Sequence, residues 1–217
     1  MFAFIRRHLD PSVRLGEILF ALIMALGFTA SVRLGLGEAD HRELFVGILG
    51  CNVAWAIIDA ALYVMTELFE RGRAARLVRD VHAARSQDAA LALVSTEMDE
   101  RMPFVAGDPG RDDLARRILA IVQQASPVDV RIRRSDLLSA GAVALVIVVA
   151  TLPVVAPFLV FASANIAVRV SNGVSVSMLF LLGVAWGRSV GRNPLRIGAL
   201  LAGAGIVLVL IAVALGG

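Results

Sequence analysis

Long apolar runs separated by short polar segments set the pattern of this chain. The runs are Leu15 to Val32, Leu44 to Met65, Leu137 to Phe161, Val170 to Trp186 and Ile197 to Leu215. Each approaches the roughly 20 residues a helix needs to cross a bilayer, so the pattern predicts five transmembrane helices. Pro153 and Pro157 interrupt the third run. They are tolerable in a membrane helix whose neighbours satisfy the freed carbonyls. Between the second and third runs lies the only polar stretch large enough to form a soluble layer. In it Ser86 is placed to cap a helix with Leu91, Val94, Met98 and Met102 on one face. Pro103 to Gly110 reads as a turn, and Arg111 to Ala125 as a second amphipathic helix through Leu114, Ile118 and Ile121. The predicted fold is therefore an all-α integral membrane protein with a small cytoplasmic helical insertion. Residues 1–66 carry the N-terminal segment and spans 1 and 2, residues 67–136 the insertion, and residues 137–217 spans 3 to 5.

The second run carries the most unusual polar pattern. At 100° per residue, Asn52, Asp59, Tyr63, Thr66 and Glu70 fall within about 40° of one line along a helix. That line runs from mid-membrane toward water over roughly 27 Å at 1.5 Å per residue. A carboxylate in hydrocarbon costs several kcal/mol, so Asp59 is either a functional group in a wet site or a partner that locks helix packing.

Composition agrees with the pattern. Of 217 residues, 58% are hydrophobic, and the mean hydropathy of +0.79 is too apolar for a soluble domain of this size. The single Cys51 lies inside an apolar run and can form no intrachain disulfide. All 21 basic residues are Arg. Basic segments beside membrane spans contact lipid headgroups, so nucleic acid is not inferred. The head, the segment Arg71 to Arg134 and the loop Arg188 to Arg196 together hold 18 of the 21, leaving Arg33, Arg42 and Arg169 on the other side. The excess places the N-terminus in the cytoplasm and the C-terminus outside. A basic head followed by the first run, with small residues around Thr29 to Ser31, also fits a signal peptide; the later runs favour a retained helix.

Candidate chemistry is confined to a few residues. Glu67-x-x-Glu70 and Glu97-x-x-Glu100 each set two carboxylates on neighbouring helical turns, and Met98 and Met102 flank the second pair. Carboxylates with an occasional thioether suit divalent iron or manganese, although the same spacing describes a solvated helix face and the methionines also fit an apolar stripe. In the first two spans, Glu17 and Asp59 both fall in the cytoplasmic half, where they can form one site. No nucleophile arrangement, phosphate loop, haem motif or zinc spacing occurs, so an enzyme is not expected.

Several of these motifs resemble one family. Arg14-Leu15-Gly16-Glu17-Ile18-Leu19 at the start of the first span is similar to the vacuolar iron transporters, as are Leu152-Pro153 and Pro157-Phe158 in the third. So are Asn193-Pro194-Leu195-Arg196, Gly198 and the small residues to Gly217 in the fifth. The resemblance covers most of the chain and implies a divergent bacterial relative in a prokaryotic inner membrane. It implies a homodimer that moves ferrous or related divalent ions, with no permanently bound cofactor. It also implies metal-binding Glu and Met residues on the inserted helices. Two departures stand against it. Where the family has a mid-membrane Asn-Asp-Gly in the first span, this chain has Ile23-Met24-Ala25. Where the family's second span has Ser-Met and Gly-Glu-Tyr, this one offers Asn52, Asp59 and Leu62-Tyr63. Two function classes follow: a divalent-metal transporter, or a non-transporting scaffold or sensor of the same fold.

Overall fold

The structure is a computed structural model that describes residues 2–35 and 41–214, except for the side chains at 2, 3, 6, 30–35, 41, 209, 212 and 213. Of the connector expected from Arg33 to Glu43, residues 36–40 lie outside the described residues and the rest belongs to the helices on either side; the end of the fifth run at Leu215 also lies outside. Every element is helical: α1 (Phe2–His8), α2 (Pro11–Gly35), α3 (His41–Ala83), α4 (Gln87–Arg101), a 3-10 turn (Pro103–Val105), α5 (Arg111–Gln124), α6 (Arg134–Val155), α7 (Pro157–Val160), α8 (Ala164–Ser189) and α9 (Pro194–Ala214). The helices α2, α3, α6 and α8 are long and apolar enough to cross a membrane, while the apolar stretch measured on α9, Pro194–Leu208, is shorter. The protein is thus an all-α, multi-pass membrane protein. Its chain divides into two compact units, Met1–Tyr63 with Arg134–Gly217, and Val64–Arg133.

In the first unit α2 packs against α6, α8 and α9, and α8 lies along α9. Two apolar clusters hold it. One gathers Leu22 and Leu26 of α2, Leu44 and Ile48 of α3, Val154 of α6 and Leu179 of α8. The other joins Ile5 of α1, Ala21 of α2, Ala56 of α3 and Ile147 of α6. The α8–α9 seam depends on glycine. A Cβ on Gly183 would stand 2.7 Å from Gly198 Cα and from the Ile197 carbonyl oxygen, both backbone atoms that cannot rotate away.

The third run does not form one continuous helix. Its helix starts earlier than expected, at Arg134, passes through Pro153 and stops at Val155; Pro157 then opens a separate short turn. Proline has no N–H to extend the ladder. At the break the Ser171 hydroxyl of α8 donates to the Val154 carbonyl at 2.8 Å, so a neighbouring helix bonds one of the last carbonyls of α6.

The second run is longer than expected. Its helix continues past Gly72 to Ala83, 43 residues in all. Gly72 costs a helix interior only about 1 kcal/mol, too little to end one whose flanks favour it.

In the second unit, α4 begins at Ser86, whose hydroxyl accepts from the Ala89 N–H at 3.1 Å as the sequence predicts. Val81 of α3, Ala90 and Val94 of α4 and Leu119 of α5 form its core. Of the predicted α5 stripe, Ile118 packs against this core and Ile121 does not. Ala115 and Leu119 are the buried residues, while Ile121 is 69% exposed.

Candidate functional site

Between α2 and α3 two of the predicted carboxyls come into direct contact. Glu17, two turns into α2, comes within hydrogen-bonding reach of Asp59 on α3. Asp59 Oδ2 is nonetheless buried without a hydrogen-bond partner. Two further polar atoms on the same face of α3 share that condition, Asn52 Oδ1 and Trp55 Nε1. Asn52 is 1% exposed, and its amide nitrogen is spent on the Ile48 carbonyl at 3.0 Å. The Trp55 ring stacks on Phe20 of α2 with centroids 5.9 Å apart.

The spacing explains why these groups converge. Residues 52, 55 and 59 follow the i, i+3, i+7 rule, so Asn52, Trp55 and Asp59 form one stripe. Small or slender neighbours let it approach α2: Phe28 of α2 lies so close to Gly47 that a Cβ there would overlap the ring. One turn along, the Cys51 thiol donates to the Met24 thioether at 3.3 Å. A second polar link joins the spans, with the Thr29 hydroxyl donating to Asn172 Oδ1 of α8 at 2.6 Å. Apolar packing and these hydroxyl bonds leave the Glu17–Asp59 contact as the one place where two acidic groups meet across helices of this unit among the described bonds. Two carboxyls in contact away from bulk water need a proton or a cation between them.

The remaining predicted site residues stand in the second unit, and arginines pair with its glutamates. Arg73 donates to Glu97 at 3.1 Å and also pairs with Glu100. Arg101 pairs with Glu70 at 2.7 Å and with Glu97 at 2.5 Å. Glu67 meets Arg71 at 3.3 Å. Burial pulls the Glu97 carboxyl upward, but the bonds from Arg101 and Arg73 outweigh it and hold the group below its usual range. The Met98 side chain is buried on α4 beside Val94, and Met102 closes the helix by donating its N–H to the Met98 carbonyl at 2.8 Å. His82, between the two glutamate pairs in sequence, instead donates Nε2–H to the Gln123 carbonyl at 3.1 Å. Glu70, Glu97 and Glu100 thus share a network with Arg73 and Arg101 while Glu67 pairs with Arg71, and no group of three or more His, Cys, Asp or Glu able to hold a metal occurs among the described residues.

Sequence reasoning missed Trp55. Its indole reads as an ordinary apolar residue within the run, yet it lies three positions after Asn52 and four before Asp59, and that spacing was the available signal. The arginine network was hidden for another reason: Arg73–Glu97 and Arg101–Glu70 are separated by 24 and 31 residues, beyond any periodic pattern.

The fold and the paired carboxyls define a class, a polytopic α-helical membrane protein with ionisable groups between its first two spans. Beyond the class, no protein-family model matches the chain and no curated protein matches it.

Proposed function

We propose that this protein moves a divalent cation, iron or manganese, across the membrane, in the manner its motifs share with vacuolar iron transporters. In this reading Glu17 and Asp59 hold the ion between α2 and α3, and α9 serves as a fifth span. The protein works as a homodimer in a prokaryotic inner membrane with its N-terminus in the cytoplasm, and does no covalent chemistry. One observation carries the reading: the buried, unpartnered Asp59 Oδ2 opposite the carboxyl of Glu17. A structural acid would be expected beside an arginine, of which the chain has 21. An acid facing another acid, with an oxygen left over, is arranged to receive positive charge.

Flux into liposomes, measured for iron, manganese, cobalt and zinc under a proton gradient, tests the reading. Asp59→Asn keeps volume and a hydrogen-bonding oxygen but removes the charge that offsets a cation's dehydration. It should abolish flux while expression and oligomer size stay unchanged. Wild-type flux that survives Asp59→Asn sinks it.

A scaffold or sensor is favoured instead by the second unit. There the arginine network ties the carboxylates up, and α3 and α4 border a groove of about 840 Å³ in which Phe69 and Leu93 remain exposed. A folded wild-type protein with no flux for any of the four ions decides for that reading.

A further inference from the structure

The three unpartnered atoms on α3 are not of one kind, and the difference bears on what the site takes. Asp59 Oδ2 and Asn52 Oδ1 accept hydrogen bonds or ligate cations, whereas an indole N–H can only donate. No metal ion satisfies Trp55 Nε1. A water oxygen does, and so would an anion, but an anion beside Glu17 and Asp59 would be repelled. Trp55 stands about one helical turn from each acceptor, and Asn52 and Asp59 are roughly 10 Å apart along the axis at 1.5 Å per residue.

The donor count points the same way. Small hard divalent cations take about six oxygens, and they shed water reluctantly. Glu17 and Asp59 cannot supply that number, and no third acidic, imidazole or thiol group joins them among the described residues. The stacking of Trp55 on Phe20 fixes the ring plane, so the N–H direction is set before an ion arrives.

We infer that the Glu17–Asp59 site accepts a hard divalent cation still carrying part of its hydration shell, and that the Trp55 indole N–H holds one of those waters. The inference rests on the cation reading of that site. Trp55 is then a positioning residue, acting on the ion through water, and the site favours water-retaining ions over soft, readily dehydrated ones.

Nuclear magnetic resonance of the full chain in nanodiscs tests it directly. The chain has two tryptophans, so Trp186→Phe leaves one indole N–H resonance, that of Trp55. The expected result is exchange between this resonance and water, a shift on adding Mg2+ alone, and broadening by Mn2+. All ion responses should vanish in Asp59→Asn. A resonance without water contact, or one unmoved by both ions, overturns the inference. Trp55→Phe keeps an aromatic ring beside Phe20 and removes the donor with the rest of the indole. It should lower Mn2+ flux about tenfold, the scale of one lost hydrogen bond near a charge. Unchanged Mn2+ flux also overturns the inference. The two readings fail separately. Asp59-dependent flux with a silent indole leaves transport standing and removes the bound water. An ion-responsive indole without flux leaves a hydrated-cation site in a protein that does not transport.

Discussion

In the layer of residues 64–133, Glu97 meets Arg73 and Arg101, and Asp99 meets Arg111 at 2.6 Å. In the membrane bundle, Asp59 meets the carboxyl of Glu17, and one of its oxygens is buried with nothing bonded to it. The same chain therefore pairs Glu97 and Asp99 with arginine where water already screens them, and sets two acids against each other where screening is weakest. Physical cost runs the other way: exposed ion pairs contribute little, while an uncompensated carboxylate in hydrocarbon costs several kcal/mol. On the proposed reading the Glu17–Asp59 contact is kept for the cation it binds, and the arginine pairs serve the shape of the layer.

The sharpest way to break that comparison is to give Asp59 the kind of partner the layer uses. Glu17→Arg places a guanidinium opposite Asp59. Flux should fall at least a hundredfold, because the site's positive charge becomes permanent. The unfolding temperature should hold or rise. A variant that still transports would show that the contact was never the ion's place. The reciprocal change, Glu97→Gln with Glu100→Gln, removes carboxylates already committed to arginine, and flux at saturating ion should stay within about twofold of wild type. A capture site on those helices would instead lose transport at low ion concentration and regain it at high.

The next effect in size concerns how each unit is held. The bundle relies on backbone approach at Gly183, where Gly183→Val would drive a side chain into Gly198 and the Ile197 carbonyl. Overpacking against backbone costs about 1–3 kcal/mol or more. Thermal unfolding followed by size exclusion should show the bundle weakened, while amide exchange of α4 and α5 is unchanged.

How far the sequence carried is clearest at particular residues. Apolar runs located α2, α3, α6 and α8, because lipid demands long uninterrupted apolar helices. The Ser86 cap was legible because its chemistry is local. So was the stripe through Asn52 and Asp59, since helical periodicity fixes which residues share a face. The end of α6 at Val155 was not, because two prolines in one run look alike, yet the helix passes through Pro153 and stops before Pro157. Ile121 was misplaced because α5 is short, and one residue of rotation decides which side chain meets Val81 and Val94. The arginine pairs depend on contacts between distant segments and leave no pattern to read.

A smaller effect follows from acid. Bonds from arginine hold the carboxyl of Glu97 below its ordinary 4.5, and those from Arg111 hold Asp99 below its ordinary 3.8. A carboxyl lowered by folding contributes stability that is complete above its ordinary value and is lost as pH falls through the lowered one. The layer should keep full protection at pH 6 and lose it progressively below about pH 4.5. Amide exchange of α4, corrected for the intrinsic rate, checks this. Equal protection at pH 6 and pH 3 would mean that apolar packing at Val94 and Leu119 carries the layer unaided.

The smallest expected effect tests whether the two units are independent in function. Ser86→Ala removes the oxygen that accepts from Ala89 N–H and leaves a backbone donor at the start of α4 unpaired. Losing such a cap costs about 1 kcal/mol. The first turn should fray as far as Ala90, where burial against Val81 and Leu119 resumes. Exchange should rise about fivefold at residues 87–90 and little beyond, and Ser86→Asp should restore it, since a carboxylate caps equally well and favours the helix N-terminus. Flux should not change, because the cap belongs to the second unit and the Glu17–Asp59 contact to the first. A fall in flux with Ser86→Ala that Ser86→Asp reverses would tie the order of α4 to the transport step. The division between a layer that neutralises its acids and a bundle that uses one would then have to be given up.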